Sequence, residues 1–247
     1  EASGFVSVHT ASSAVSGDAY IMTGEGTSSQ SGHVNISTGA APIGSAGGIS
    51  IRAGKSGASH GGGVYLAAGD SAAAVGVGGE IEIVGGNSQS VTGGRITLTT
   101  GAGGQQMPSG ALTLESRTSS ETDASQGSGD VRLRSGDGGS GASGDVHVGS
   151  GESLSGEGTG SVFVEVGRGV DGDAGDVLVS AGDMQVGIGG NVEIRSGQSD
   201  ETSSGRVKIT TSDAMSSGES GEVRIETGIA ADGPSGSITL EAGLATE

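Results

Sequence analysis

Hydrophobic and polar positions alternate in a pattern that recurs along the whole chain. Each unit reads glycine, any residue, aliphatic, any residue, aliphatic, any residue, a small residue, and then usually a second, closing glycine. We name the two aliphatic positions the first and second slots, and the small position the third slot. Sixteen units occur, and nine of the fifteen spacings between opening glycines are 15 residues. The opening glycines are Gly4, Gly17, Gly32, Gly47, Gly62, Gly79, Gly94, Gly110, Gly129, Gly144, Gly160, Gly175, Gly190, Gly205, Gly221 and Gly236.

The aliphatic slots carry the strongest structural signal. Val, Ile or Leu occupies 31 of the 32 positions, and only Ala19 departs from the rule. Alternation with a period of two sends such residues to one face of an extended strand, and β-branched side chains suit a pleated surface. The pattern therefore predicts sixteen strands that share an apolar core. Representative core positions are Val34, Ile36, Val131, Leu133, Val192, Ile194, Val223 and Ile225.

Roughly eight residues rich in Gly, Ser, Ala and Asp follow each predicted strand. These connections are longer than the two to five residues of favoured hairpins. They suit the corners of a solenoid, in which stacked rungs build a continuous core. The glycines on both flanks of each connection fit this prediction, because such corners often need a positive φ that glycine adopts readily. We therefore predict an all-β fold: a parallel β-solenoid (β-helix) of 16 repeats of about 15 residues, continuous over residues 1–247.

The charged outward positions bear on the size of one coil. The last outward position of every second unit alternates in sign along the series Arg134, Glu165, Arg195 and Glu226. Stacked neighbours prefer opposite charges, so we favour two repeats per coil, with one repeat per coil as the alternative. Because neither end carries a cap that covers a last rung, we expect either a segment of a longer array or modules that stack end to end.

Composition excludes several functional classes. Gly, Ser and Thr number 54, 40 and 18 among the 247 residues, whereas Val, Leu, Ile and Phe together number 47. With a net charge of −18, these figures alone are typical of a disordered chain. The absence of Cys excludes a disulfide scaffold, and no apolar run approaches a membrane span. With 11 basic against 29 acidic residues, nucleic acid is not a predicted partner.

Candidate chemistry is sparse. The four histidines lack metal-ligand spacing. Asp145 and Asp176 would lie on neighbouring rungs of a two-repeat coil and could share Ca²⁺, which makes them weak calcium candidates. No other cofactor and no catalytic residue is predicted, because the carboxylates have no aromatic platform of the kind found in sugar-cleaving grooves.

Three outward residues are candidates for surface functions. Asn35 stands in the triplet Asn-Ile-Ser and is a candidate for N-glycosylation. Phe163 and Leu178 are apolar outward residues of adjacent units, and they predict a small lateral contact patch.

Two units carry a resemblance to known repeats: GDVRLRSG at 129–136 and GNVEIRSG at 190–197. They resemble the Gly/Ser-rich repeats of large extracellular structural proteins in diatoms and related algae, and they are similar to repeats of bacterial surface adhesins. The resemblance implies an extracellular or cell-surface location. We predict a non-enzymatic structural protein that forms a rigid filament, appendage or matrix fibre with copies of itself and carries or binds glycans. The alternative is an adhesin-type stalk or a module that binds glycans or surfaces.

Overall fold

The computed structural model describes residues 3–73, 75–104, 107–118, 127–154 and 158–244. Within these ranges the chain contains neither a helix nor a strand, and it runs as an extended, exposed coil interrupted by short bends. The prediction of an all-β parallel β-solenoid is therefore wrong. The predictions of a β-helix and of two repeats per coil are therefore wrong as well.

Backbone hydrogen bonding shows why no sheet forms. A solenoid requires bonds between segments about 15 or 30 residues apart, since each rung pairs with the next. The backbone–backbone hydrogen bonds of the described residues instead join positions no more than ten residues apart, as in the bond from the Gly79 N–H to the Gly69 carbonyl. Each bond therefore closes a local loop, and the extended segments remain unpaired in the described part of the chain.

The exposure of the side chains also argues against a solenoid. No described residue is fully buried, and the eight representative core positions are all exposed. The chain exposes 25448 Å² of surface at a mass of 23.4 kDa, whereas a compact monomer of that mass exposes about 9,700 Å². Two aliphatic side chains in every 15 residues offset only part of the entropy lost when a glycine-rich chain is ordered. The predicted core is therefore absent.

The bends nevertheless repeat with the sequence. In ten described loops the bend occupies the fifth to third residues before the next opening glycine. These bends lie at 27–29, 42–44, 57–59, 89–91, 139–141, 170–172, 185–187, 200–202, 216–218 and 231–233. The 15-residue pattern is thus a repeat of backbone conformation as well as of sequence.

Loop closure joins the two glycines that flank each connection. In six loops the N–H of an opening glycine donates to the carbonyl of the preceding closing glycine, at N–O distances of 2.8 to 3.1 Å. The donor and acceptor pairs are Gly62 and Gly54, Gly79 and Gly69, Gly94 and Gly86, Gly110 and Gly101, Gly190 and Gly182, and Gly205 and Gly197. Each of these six connections is therefore a compact loop whose ends meet.

The third slot packs against the opening glycine of the next unit. A Cβ atom at Gly79 would lie 3.1 Å from the Ala68 Cβ, and one at Gly32 would lie 3.3 Å from the Thr23 Cγ2. Equivalent approaches occur at most of the described junctions. Eight of the eleven half-buried residues are third-slot residues: Ala53, Ala68, Gly85, Thr100, Ser116, Ser135, Ala181 and Ser196. At the closest junctions this contact accounts for the small third slot and for glycine at the opening position, whereas at Gly47, Gly110 and Gly144 the approach of 3.6 to 3.7 Å is an ordinary van der Waals contact.

Positive φ occurs inside the loops and not at their flanking glycines. The five glycines with positive φ are Gly44, Gly172, Gly187, Gly218 and Gly233, and each stands three residues before an opening glycine. At Gly172 the φ of 82° is a left-handed conformation that favours glycine. Its N–H also donates to the Asp171 Oδ1 at 2.9 Å. The expectation of positive φ at the flanking glycines is therefore wrong for the described residues, in which positive φ occurs inside the loops.

Some loops have no glycine three residues before the opening glycine, and in these loops serine side chains stabilise the turn. The Ser56 Oγ accepts the Ser59 N–H at 2.9 Å, and the Ser199 Oγ accepts the Thr202 N–H at 3.0 Å. Both serines stand six residues before an opening glycine. Ser and Thr commonly form such local side-chain turns, so the serine-rich composition of the loops has a structural role.

The chain divides into two units, Glu1–Glu115 and Ser116–Glu247. Each contains extended segments joined by closed loops of the same kind, as shown by the bonds at Gly94 in the first unit and Gly190 in the second. The prediction of one continuous repeat array over 1–247 stays a prediction.

Loop closure leads to a first testable prediction. A Cβ at Gly85 would overlap the Gly94 carbonyl oxygen, whereas a Cβ at Gly86 would meet nothing within 4 Å. We expect Gly85→Ala to break the bond between Gly94 and Gly86 and to speed hydrogen exchange at the Gly94 amide severalfold. Gly86→Ala is the matched control, and NMR-detected exchange is the measurement. Equal exchange rates in the two variants would contradict this account of closure.

Candidate interaction surface

The aliphatic slots form the largest repeated apolar feature of the chain. In units three to sixteen the first-slot residues are 48–66% exposed and the second-slot residues 62–90% exposed. Aliphatic residues of the loops are 78–105% exposed. A stacked core would bury the middle of each segment most, yet here the second slot, which is the nearer of the two to the middle of the segment, is more exposed than the first in each of these units. Both slots are thus open to solvent over at least about half of their surface.

Side chains two residues apart share one side of each segment. The Arg132 Nη2 donates to the Asp130 Oδ2 at 2.5 Å, and the Arg195 Nη2 donates to the Glu193 Oε1 at 2.6 Å. The Arg224 Nε likewise donates to the Glu226 Oε2 at 2.9 Å. Such pairs meet because alternate side chains of an extended chain point the same way.

These pairs replace the predicted ladder of charges between coils. Arg195 pairs with Glu193 of its own segment, and Glu226 pairs with Arg224. Arg134 pairs with Asp137 at 3.2 Å. The side chains remain well exposed, so these ion pairs add little to stability. Their consequence is a local one: in the segments that contain Arg132, Arg195 and Arg224, a basic and an acidic side chain neutralise each other on the side opposite the slots.

Charge is distributed unevenly between segments and loops. The six residues after each opening glycine contain eight basic and twelve acidic residues over the sixteen units, a net charge of −4. The remainder of the chain holds three basic and seventeen acidic residues, a net charge of −14. The extended segments are thus nearly neutral, and the loops carry most of the negative charge.

The predicted calcium candidates are not brought together by stacked coils, because the described part of the chain forms none. The Asp145 Oδ2 lies 3.8 Å from the His147 Nε2 within one segment. Among the described residues no group of three or more His, Asp or Glu side chains could hold a metal ion. Calcium binding by Asp145 and Asp176 therefore gains no support from geometry.

The remaining surface candidates are exposed. Asn35 is open to solvent, as a glycan acceptor must be, and its glycosylation stays a prediction. Phe163 and Leu178 are also exposed. Their role as a lateral contact patch likewise stays a prediction.

Comparisons with known proteins give no relatives. No family model, no curated protein and no solved structure matches the chain. In the described ranges, no helix is long and apolar enough to cross a membrane. Function must therefore be argued from the slots, the loops and the charge distribution.

Proposed function

We propose that this chain is a non-enzymatic structural protein of the extracellular space or cell surface that associates with copies of itself into a fibre or matrix. The observation that supports this most is the series of open aliphatic slots, repeated at about 15-residue spacing on a chain whose described part has no buried core. Scattered exposed apolar residues are ordinary on protein surfaces. A regular series of them favours an interaction role.

The net negative charge makes this self-association dependent on pH and on salt concentration. A net charge of −18 keeps separate copies apart at neutral pH and low ionic strength. Screening by salt or neutralisation of carboxylates weakens that repulsion. Separate copies are therefore expected to stay apart at neutral pH and low salt, and to associate where the salt concentration is higher or the pH is lower.

The proposed location follows from the composition and the repeats. Acidic sequences rich in Gly, Ser and Thr suit an extracellular setting, and the resemblance to algal and adhesin repeats points the same way. Asn35 would offer an exposed site for an attached glycan. These features support surface function without any catalytic residue.

Sedimentation velocity of the full chain tests the proposal. The protein is measured over a wide concentration range in about 0.01 M and about 1 M salt, where the Debye length falls from about 30 to about 3 Å. We expect larger species as concentration and salt rise. A monomer under all conditions would overturn the proposal, and selective binding by that monomer to a glycan array would favour the stalk or glycan-binding alternative.

A further inference from the structure

We infer that a second copy of this chain docks on the first and second slots of the extended segments, and that the loops remain outside the contact. The inference rests on the proposed self-association and names the surface responsible for it.

The first step is the geometry of a segment. Asp130 and Arg132 meet on one side, so Val131 and Leu133 lie on the other. The same alternation holds where Glu193 pairs with Arg195. These segments therefore present an apolar side, composed of their two slots, opposite a side of locally paired charges. A partner that approaches the apolar side need not desolvate those ion pairs.

The second step is the state of the backbone. The backbone–backbone hydrogen bonds of the described residues all involve loop residues or flanking glycines. The slot residues between them thus offer N–H and C=O groups to another extended chain. Pairing of one extended segment with another satisfies such groups and places alternate side chains in contact.

The third step is charge. The segments together carry −4, and the rest of the chain carries −14. Two copies that meet through their segments bring nearly neutral surfaces together and leave the acidic loops farther apart. Contact through the loops would instead bring like charges together at the ten of the fifteen loops that carry a net negative charge. Repulsion therefore selects the segments as the contact.

The fourth step identifies the occupant. Burying one Val, Leu or Ile side chain removes about 60–120 Å² from water, so two partly exposed slots supply roughly 100 Å² per unit. A standard interface buries about 800 Å² per partner, which requires about eight units at once. A partner must then present apolar pairs at the same 15-residue spacing over eight repeats. A second copy of the chain meets this requirement because it has the same repeats at the same spacing. Contacts made at several repeats at once also strengthen one another.

The test compares two full-length variants with equal losses of aliphatic side chains. In the slot variant, seven second-slot residues become Ser: Ile36, Leu66, Ile83, Val148, Val164, Val179 and Ile194. In the loop variant, seven exposed loop residues of the same types become Ser: Ile43, Val75, Leu154, Val170, Val186, Ile188 and Ile229. Both sets contain three Ile, three Val and one Leu, so mean hydropathy is unchanged between the variants.

We expect the slot variant to need more than about tenfold higher concentration for association than the unaltered chain, because seven contacts are lost together. The loop variant should associate at nearly the wild-type concentration. Equal weakening of both variants, or greater weakening of the loop variant, would overturn the inference while leaving self-association standing.

A wild-type chain that stays monomeric would instead overturn the proposed function itself. If that monomer bound phosphatidylcholine vesicles in a slot-dependent manner, the surface would belong to a lipid partner, and docking of a second copy would be excluded.

Discussion

Lowering the pH from 7 towards 4.3 is expected to convert the soluble chain into large assemblies, with light scattering at its maximum near pH 4.3. The net charge is −18 at pH 7 and the isoelectric point is about 4.3. As the pH falls, protonation of carboxylates removes negative charge, while the basic residues stay positive and the histidines gain charge. Repulsion between copies disappears near zero net charge, and association is favoured there.

Substitution of loop carboxylates checks the electrostatic origin of this effect. Six acidic loop residues can be changed to their amides: Asp70, Asp171, Asp173, Asp183, Asp200 and Glu201. We expect the onset of scattering to move to higher pH, because less protonation is then needed to reach neutrality. Six loop Ser→Asn changes provide the control and should leave the onset unchanged. If the scattering maximum of the six-residue variant occurred at the same pH as that of the unaltered chain, the electrostatic explanation would be contradicted.

The local part of the structure was predictable from the sequence. Alternation of aliphatic and polar residues places Asp130 and Arg132 on one side of the chain, and the ion pair between them reflects that alternation. The positions of the loops were also evident, because Gly, Ser and Asp concentrate there, and in ten described loops a bend lies three to five residues before the opening glycine. Both features depend on residues close in sequence, where geometry is set by the chain itself.

The long-range part was predicted wrongly for an equally physical reason. Stacking of sixteen strands requires that burial of the slots outweigh the entropy of ordering 54 glycines and their neighbours. A periodic pattern shows where a core would be but not whether its energy is sufficient. The alternating charge series was misleading in the same way, because Arg134 and Arg195 each find a carboxylate within three positions along the chain.

The contact between the third slot and the opening glycine was missed, although the sequence carries its signal. Small residues fill the third slot in nearly every unit, and glycine opens every unit. Those two facts together indicate a close approach between the positions, which Ala68 and Gly79 illustrate. Alternation with a period of two alone predicts only that the third slot shares a face with the two aliphatic slots.

In limited proteolysis with trypsin, the cleavage rates at individual sites should differ between dilute monomer and assembled protein. Arg132, Arg195 and Arg224 lie within extended segments, whereas Lys55 and Arg168 lie in loops, and all five residues are exposed in the single chain. In dilute solution at neutral pH and low salt, we expect each site to be cut about as fast as in urea, because the described backbone has no buried structure to open first.

Association should protect only the segment sites. If copies meet through their slots, cleavage after Arg132, Arg195 and Arg224 should slow by more than about tenfold in the assembled material, since a protease must wait for the contact to open. Cleavage after Lys55 and Arg168 should be nearly unchanged, because the acidic loops remain outside the contact. Mass spectrometry of fragments over time measures each site against its own rate in dilute solution, which removes differences in local sequence. Uniform protection of segments and loops would indicate that copies bury whole repeats, and preferential protection of the loops would place the contact on the acidic side of the chain.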